Sequence, residues 1–308
     1  MRRVATVDLG TNTVRLLVVE ARPPEWRPLL ETQRVTRLGE GQAARGALGG
    51  APMRRTTHVV AEFVERARAL GAAEIRIVAT SAVREASNRD DFVAAVREAC
   101  GRSVEVISGE EEARLTLLGV SAGLPALGGS FLLFDIGGGS TEFVVAESAR
   151  PTGLVSLRLG VVALAERHTD AGPVDVRQLA RLEAAIDQAL SAGLVPAISA
   201  ARSPELVGSA GTVTTLAALD LELRAYDAAR VQGHRLTKRA VEVQLTRLAG
   251  LTVSERAALP CLEPGRADLI VPGAAICLAV LTRLDFDSLI VSDRGLREGI
   301  LYEILSKS

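Results

Sequence analysis

One stretch constrains this chain more than any other: Phe131-Leu132-Leu133-Phe134, then Asp135-Ile136-Gly137-Gly138-Gly139-Ser140-Thr141-Glu142, then Phe143-Val144-Val145-Ala146. Two apolar runs of strand length flank a glycine turn and read as buried strands of a hairpin. Three consecutive glycines let backbone N–H groups converge, because no Cβ blocks close approach or positive φ angles. Such a nest holds an anion. Asp135 and Glu142, at the two ends of the turn, are hard oxygen groups suited to a Mg²⁺ or Mn²⁺ that accompanies phosphate. Turn geometry alone would account for two glycines. Three followed by Ser140, Thr141 and Glu142 point to a phosphate cradle formed by Gly137, Gly138, Gly139, Ser140 and Thr141.

The same grammar occurs near the start. Val4-Ala5-Thr6-Val7 leads into Asp8-Leu9-Gly10-Thr11-Asn12-Thr13, and Val14 to Val19 follows. A hairpin repeated so far apart in sequence suggests two related domains facing each other across a cleft. Asp8 then joins the candidate metal ligands, and Thr11, Asn12 and Thr13 the candidate phosphate contacts. A third strand, Pro204 to Val207, meets Gly208-Ser209-Ala210-Gly211-Thr212 and a helix start, so Gly208, Ser209, Gly211 and Thr212 can also face an anion. No Gly-x-x-x-x-Gly-Lys-[Ser/Thr] occurs, which excludes the Walker phosphate loop.

Other residues carry two readings. Thr80 and Ser81 end a strand as N-caps, but Arg84 in the first helical turn opposes the helix dipole unless an anion binds there. Ser108 and Glu111 form a capping box, and acids are common in a first turn; Glu110, Glu111 and Glu112 are all candidates for a general base on spacing alone. Arg266, in a Pro-Gly turn, is either solvated or a phosphate contact. Gly39-x-Gly41-x-x-Ala44 has the form of a dinucleotide fingerprint, but it lacks a preceding buried strand and an immediate helix, so it reads as a plain loop.

Composition narrows the class. The 308 residues, 48% hydrophobic and 24% charged, allow two globular domains with ample core. A net charge of −1 offers nothing global to nucleic acid or an anionic membrane, so any polyanion must meet a local cluster. Cys100, Cys261 and Cys277 have no metal spacing and read as reduced, buried thiols of a cytoplasmic protein. Asp8 and Asn12 interrupt the run after Met1-Arg2-Arg3, which argues against a signal peptide. The apolar run Leu269 to Leu281 is too short to span a bilayer and reads as a buried helix.

Taken together, these segments resemble the exopolyphosphatase/guanosine pentaphosphate phosphatase family of the actin, Hsp70 and sugar-kinase superfamily. The matching pieces are Asp8 to Arg15, Thr80 to Arg84, Ser108 to Arg114, Asp135 to Glu142, Gly208 to Thr212, Gly265 to Asp268 and Ser292 to Glu298. They cover nearly the whole chain in the family's order. The resemblance implies an α/β fold of two ribonuclease-H-like (actin-like ATPase) domains around a central cleft, in the short two-domain form. The first domain would span residues 1–124 and the second 125–295, joined by a linker around Gly123 to Gly129. The helix at 296–308 would pack back on the first. Among the three glutamates, the family's pattern selects Glu112 as the base. Asp135 and Glu142 would organise Mg²⁺ and the attacking water. One departure is Gln232, where the pattern suggests histidine.

The implied activity is Mg²⁺-dependent release of terminal phosphate from inorganic polyphosphate. Guanosine pentaphosphate is the alternative substrate, which Arg15 and Arg266 would serve through their planar, paired donors. A small-molecule kinase of the superfamily and a non-catalytic polyphosphate or nucleotide sensor are more distant alternatives. Family likeness also suggests a homodimer.

Overall fold

A computed structural model describes residues 1–22, 25–127, 130–199 and 205–307. Gly128 and Gly129 of the expected linker, Pro204 of the third strand and Ser308 of the last helix lie outside the described residues. The chain divides into two compact units. One is Met1–Gly119 with Leu296–Ser308, and the other is Val120–Gly295.

In the first unit, β1 (Arg2–Leu9), β2 (Thr13–Arg22), β3 (Glu25–Val35), β4 (Glu74–Ala79) and β5 (Val104–Val106) form one sheet in the order β3-β2-β1-β4-β5. The first three strands are an antiparallel meander, and β4 and β5 join β1 in parallel. In the second, β6 (Ser130–Ile136), β7 (Thr141–Glu147), β8 (Arg150–Leu157), β9 (Leu206–Ser209), β10 (Arg235–Thr237) and β11 (Ser288–Val291) run in the order β10-β11-β9-β6-β7-β8. Here too a meander, β6-β7-β8, is extended by parallel strands, β9 and β11. Read outward from the meander, the two sheets have one topology, with β10 added at the second sheet's edge. This is the ribonuclease-H-like α/β fold, present twice.

Strand periodicity decides what each sheet face carries. In the first sheet Ala5, Val7 and Leu9 of β1, with Val14, Leu16 and Val18 of β2, pack with Val60, Phe63, Val64 and Phe92 of the helices Gly50–Ala69 and Arg89–Cys100. The opposite face presents Val4, Leu17, Val19 and Val78, and it is completed by Leu115, Ile300, Leu301, Ile304 and Leu305. Leu115 belongs to the helix Gly109–Gly123 and the last four to the helix Leu296–Ser306. These two helices touch so closely at Gly299 that a Cβ there would lie 1.8 Å from the Leu115 carbonyl oxygen. The last helix is also tied down by charge. Glu303 accepts from Arg76 and Arg114, while Arg114 reaches Glu111 through two bonds of 2.7 Å and Arg76 reaches Glu105. Burial alone would raise the Glu303 carboxyl, but the bonds from Arg76 and Arg114 outweigh it and hold it below the ordinary value.

The second unit has a single large core. Leu132, Phe134, Ile136 and Phe143 face the helices Val176–Gly193, Ala210–Asp220, Lys238–Ala249 and Ile270–Arg283. The apolar run at Leu269 to Leu281 is this last helix, with Pro272 and Gly273 buried inside it. Among the described residues no helix is long and apolar enough to cross a membrane. Cys100 and Cys277 are buried free thiols, whereas Cys261 is only partly buried.

Candidate active site

The two hairpins form matching turns. Gly10 N–H donates to Thr13 O at 3.0 Å, and Gly137 N–H donates to Ser140 O at 2.9 Å. In each unit, the segment after the third meander strand binds carbonyls of the turn. In the first, Thr36 and Arg37 donate to Asn12 O, and Gly39 donates to Thr11 O, all at 2.9 Å. In the second, Val161 donates to Gly137 O at 3.2 Å and Val162 to Gly138 O at 2.9 Å. Peptide planarity sends an N–H the opposite way from its carbonyl. Among the described residues, the N–H groups of Thr11, Asn12, Gly138, Gly139 and Ser140 meet no backbone acceptor. Both turns therefore have the donor-rich form that suits an anion.

The Gly39-x-Gly41 segment is the loop its sequence suggests, preceded by a strand, β3, that is largely exposed rather than buried; the departure is the short helix, Gln42–Arg45, that follows directly. Gly39 closes over Thr11, where a Cβ would fall 2.4 Å from the threonine methyl. Its role is to hold the first turn. Gly160 holds the second, and sequence reading missed it. A Cβ there would lie 2.3 Å from backbone atoms of Gly139. The only signal was a glycine ending the run Val155 to Leu159. Thr141 lies deep in the same junction and donates its hydroxyl to Leu159 O.

Beneath the second turn, a row of polar side chains crosses four strands. Asp135 stands opposite Glu142 on β7, Ser209 opposite Asp135 on β9, and Ser156 opposite Glu142 on β8. Alternation puts all four on one face. Ser209 donates to Asp135 Oδ2, and Ser156 donates to Glu142 Oε1 at 2.7 Å. Glu142 is 2% exposed. Like charges directly opposite in a sheet repel, and two carboxylates side by side present hard oxygens of the kind that fit a divalent cation. No group of three or more His, Cys, Asp or Glu forms a metal cage among the described residues. Two carboxylates suit Mg²⁺, which is commonly held by one or two of them together with substrate phosphates.

The equivalent row in the first unit is Val78, Asp8, Arg15 and Gln33. Arg15 lies 3.7 Å from Asp8, so this row carries its own counter-charge. Asp8 is the third metal ligand expected from sequence, and this pair is its setting.

Glu112 and Arg84 lie together in the first unit. Arg84 Nη1 donates to Glu112 Oε2 at 2.9 Å and to Ile107 O at 3.0 Å. Arg84 ends the short helix Ser81–Arg84. The cap expected from Thr80 and Ser81 takes another form, because no side chain caps this helix and Thr80 leans to Leu9 O. Ser108 does cap the helix Gly109–Gly123, receiving Glu111 N–H at 3.1 Å. Glu111 itself is held by Arg114, whereas Glu112 is held by Arg84.

The third glycine turn, Gly208 to Thr212, opens the helix Ala210–Asp220. Ala210 has φ of 71°, a left-handed conformation that costs a residue bearing a Cβ. Arg266 lies over the turn, with Nη1 2.2 Å from where a Gly211 Cβ would be. A guanidinium at a helix N-terminus opposes the dipole, and a bound anion reverses that cost. Thr212 packs against Gly273. Gln232, at the position of the expected histidine, uses both ends of its amide. It donates to Gly123 O at 3.1 Å and accepts from Asp293 N–H at 2.7 Å.

Known proteins share this architecture along its whole length. Exopolyphosphatase 2 of Mycobacterium tuberculosis is 34% identical over 315 aligned positions, covering 97% of this chain and 98% of that protein. The crystal structure of the Aquifex aeolicus Ppx/GppA family member superposes with a TM-score of 0.83 at 31% identity, covering 99% and 98% of the two chains. An exopolyphosphatase from Cytophaga hutchinsonii reaches a TM-score of 0.91 at 26% identity over 99% and 98%. The Ppx/GppA phosphatase family model matches residues 17–308, and the chain belongs to that family.

Proposed function

We propose that this protein is an exopolyphosphatase, a hydrolase that removes the terminal phosphate of inorganic polyphosphate. The observation that carries the reading is the acid pair Asp135 and Glu142 directly beneath a turn of outward-facing N–H groups. The polyphosphate-specific part is supported by the names of relatives about one-third identical over 88% to 98% of their length.

In this reading, Glu112 takes a proton from water as the water attacks the terminal phosphorus in line with the leaving phosphate. Phosphoryl transfer places its charge on equatorial oxygens, so the protein's main task is positioning and electrostatics. Gly137, Gly138, Gly139, Ser140 and the Thr11–Asn12 turn supply backbone donors. Asp135 and Glu142 would hold a Mg²⁺ or Mn²⁺, which when bound would supply charge neutralisation at the phosphate and a ligand position for the attacking water. Arg84 serves two partners in turn. Its guanidinium binds Glu112 when substrate is absent, and an arriving phosphate competes for it, leaving the carboxylate to face the water.

Guanosine pentaphosphate is the second reading, favoured by Arg266 above the Gly208–Thr212 turn and by Arg15 beside Asp8. Phosphate release from long-chain polyphosphate and from guanosine pentaphosphate, with and without Mg²⁺ at matched terminal-group concentration, tests both. Faster turnover of polyphosphate is expected. Faster turnover of the nucleotide would replace the first reading with the second, and ATP-dependent phosphorylation of an acceptor without phosphate release would replace both.

A further inference from the structure

We propose that Ser156 is a positioning residue of the cation site, setting the Glu142 carboxylate from β8 as Ser209 sets Asp135 from β9. The proposal rests on the cation reading of Asp135 and Glu142 above. Three observations lead to it. The four residues occupy one register across β9, β6, β7 and β8, so their side chains share a face. Each acid accepts a hydroxyl hydrogen bond from the outer neighbour, with Ser156 at 2.7 Å from Glu142 Oε1. Glu142 is 2% exposed, so water is a poor substitute for the bond that Ser156 makes.

The physical consequence is orientation. A glutamate has three rotatable bonds, and a divalent cation demands its oxygens within narrow limits of distance and angle. Serine on a strand has one rotatable bond before its hydroxyl, so Ser156 fixes one Glu142 oxygen and thereby the plane of the carboxylate. Ser209 does the same for Asp135 from the opposite side of the pair. Sequence places Ser209 among the candidate phosphate contacts, and its hydroxyl here donates to the carboxylate. Partners that orient ligands in this way typically govern metal affinity by about 10–100-fold.

The test is Mn²⁺ binding by the full chain, followed by the paramagnetic signal of the free ion, with the metal alone and again with inorganic phosphate. Thermal unfolding without metal runs alongside. Wild type should bind, and Glu142→Gln should lose binding. Ser156→Ala should weaken Mn²⁺ by roughly 10–100-fold, and Ser156→Thr, which keeps the hydroxyl, should restore most of it. Should Ser156→Ala not fold, Ser209→Ala carries the same expectation from the other end of the row. A role confined to stability would lower the metal-free unfolding temperature and leave Mn²⁺ affinity at the wild-type value, which overturns the proposal. Absence of Mn²⁺ binding by wild type under both conditions would instead overturn the cation reading itself, and the proposal with it.

Discussion

The two hairpins share a topology, a turn bond and a clamp on their carbonyls, yet their polar rows differ in charge. In the first unit the position opposite the aspartate holds Arg15, and the flanking positions hold Val78 and Gln33. In the second it holds Glu142, and both flanks are serines that donate to the acids. One row sets an acid beside a base; the other sets two acids side by side between hydroxyl donors. The lesson is that a duplicated backbone can present the same N–H-rich turn twice while the side chains beneath it differ by a single change of sign.

The largest effect is expected in the first unit. Glu112→Gln should fold normally and lose about 10²–10⁴-fold in kcat, measured as phosphate release; near-normal turnover would remove Glu112 from the role of base. Next comes a direct exchange of the rows. Glu142→Gln should weaken Mn²⁺ by more than the roughly 10–100-fold typical of an outer-shell change. Arg15→Glu, which gives the first row an acid pair, should add Mn²⁺ binding at that hairpin. If Arg15→Glu gains no ion, the flanking serines matter as much as the charge.

A third experiment compares the clamps. Gly160→Ala pushes a Cβ into Gly139 backbone, whereas Gly39→Ala meets only the methyl of Thr11, a side chain that can turn. Overpacking of the first kind costs about 1–3 kcal/mol, so Gly160→Ala should lower the denaturation midpoint more than Gly39→Ala; equal losses would contradict the contact geometry. The smallest effect concerns acid. Glu303 and Glu111 are held below the ordinary carboxylate value of 4.5 by Arg76 and Arg114. A lowered carboxyl stabilises the fold above that value, and the contribution is lost as pH falls through the native value below it. Thermal scans from pH 7 to pH 3 should show a shallower acid loss in Glu303→Gln than in wild type; parallel curves would argue against this network as the acid-sensitive element.

Much of this was legible in the chain because it lay in contiguous words. Both hairpins, the Glu-rich helix start and the buried helix after Asp268 announce themselves through period-two apolar runs, glycines and capping residues. What was missed depends on register. Glu25 to Val35 alternates poorly, being largely solvent-facing at the sheet edge, so β3 was not read as a strand and the Gly39 loop lost the context that explains it. Gly160 and Ser156 act on residues 14 to 21 positions away through strand pairing, and nothing local marks a serine as a carboxylate's partner. Arg84 was read as a phosphate contact from its unfavourable place on a helix dipole; its bond to Glu112 required the fold.

The last helix gives the molecule an order of manufacture. Ile300, Leu301, Ile304 and Leu305 complete one face of the sheet that β1 begins. That face therefore stays open while the whole second unit is being synthesised. At translation speeds of about 5–20 residues per second, the wait between residue 119 and residue 305 is roughly 10–40 s. The second unit can mature on the ribosome as a continuous segment, and the unit carrying Glu112 closes last. A cell making this protein thus holds an apolar sheet face that needs shielding until Leu305 has emerged, and Glu112 is set in a finished frame only at the end.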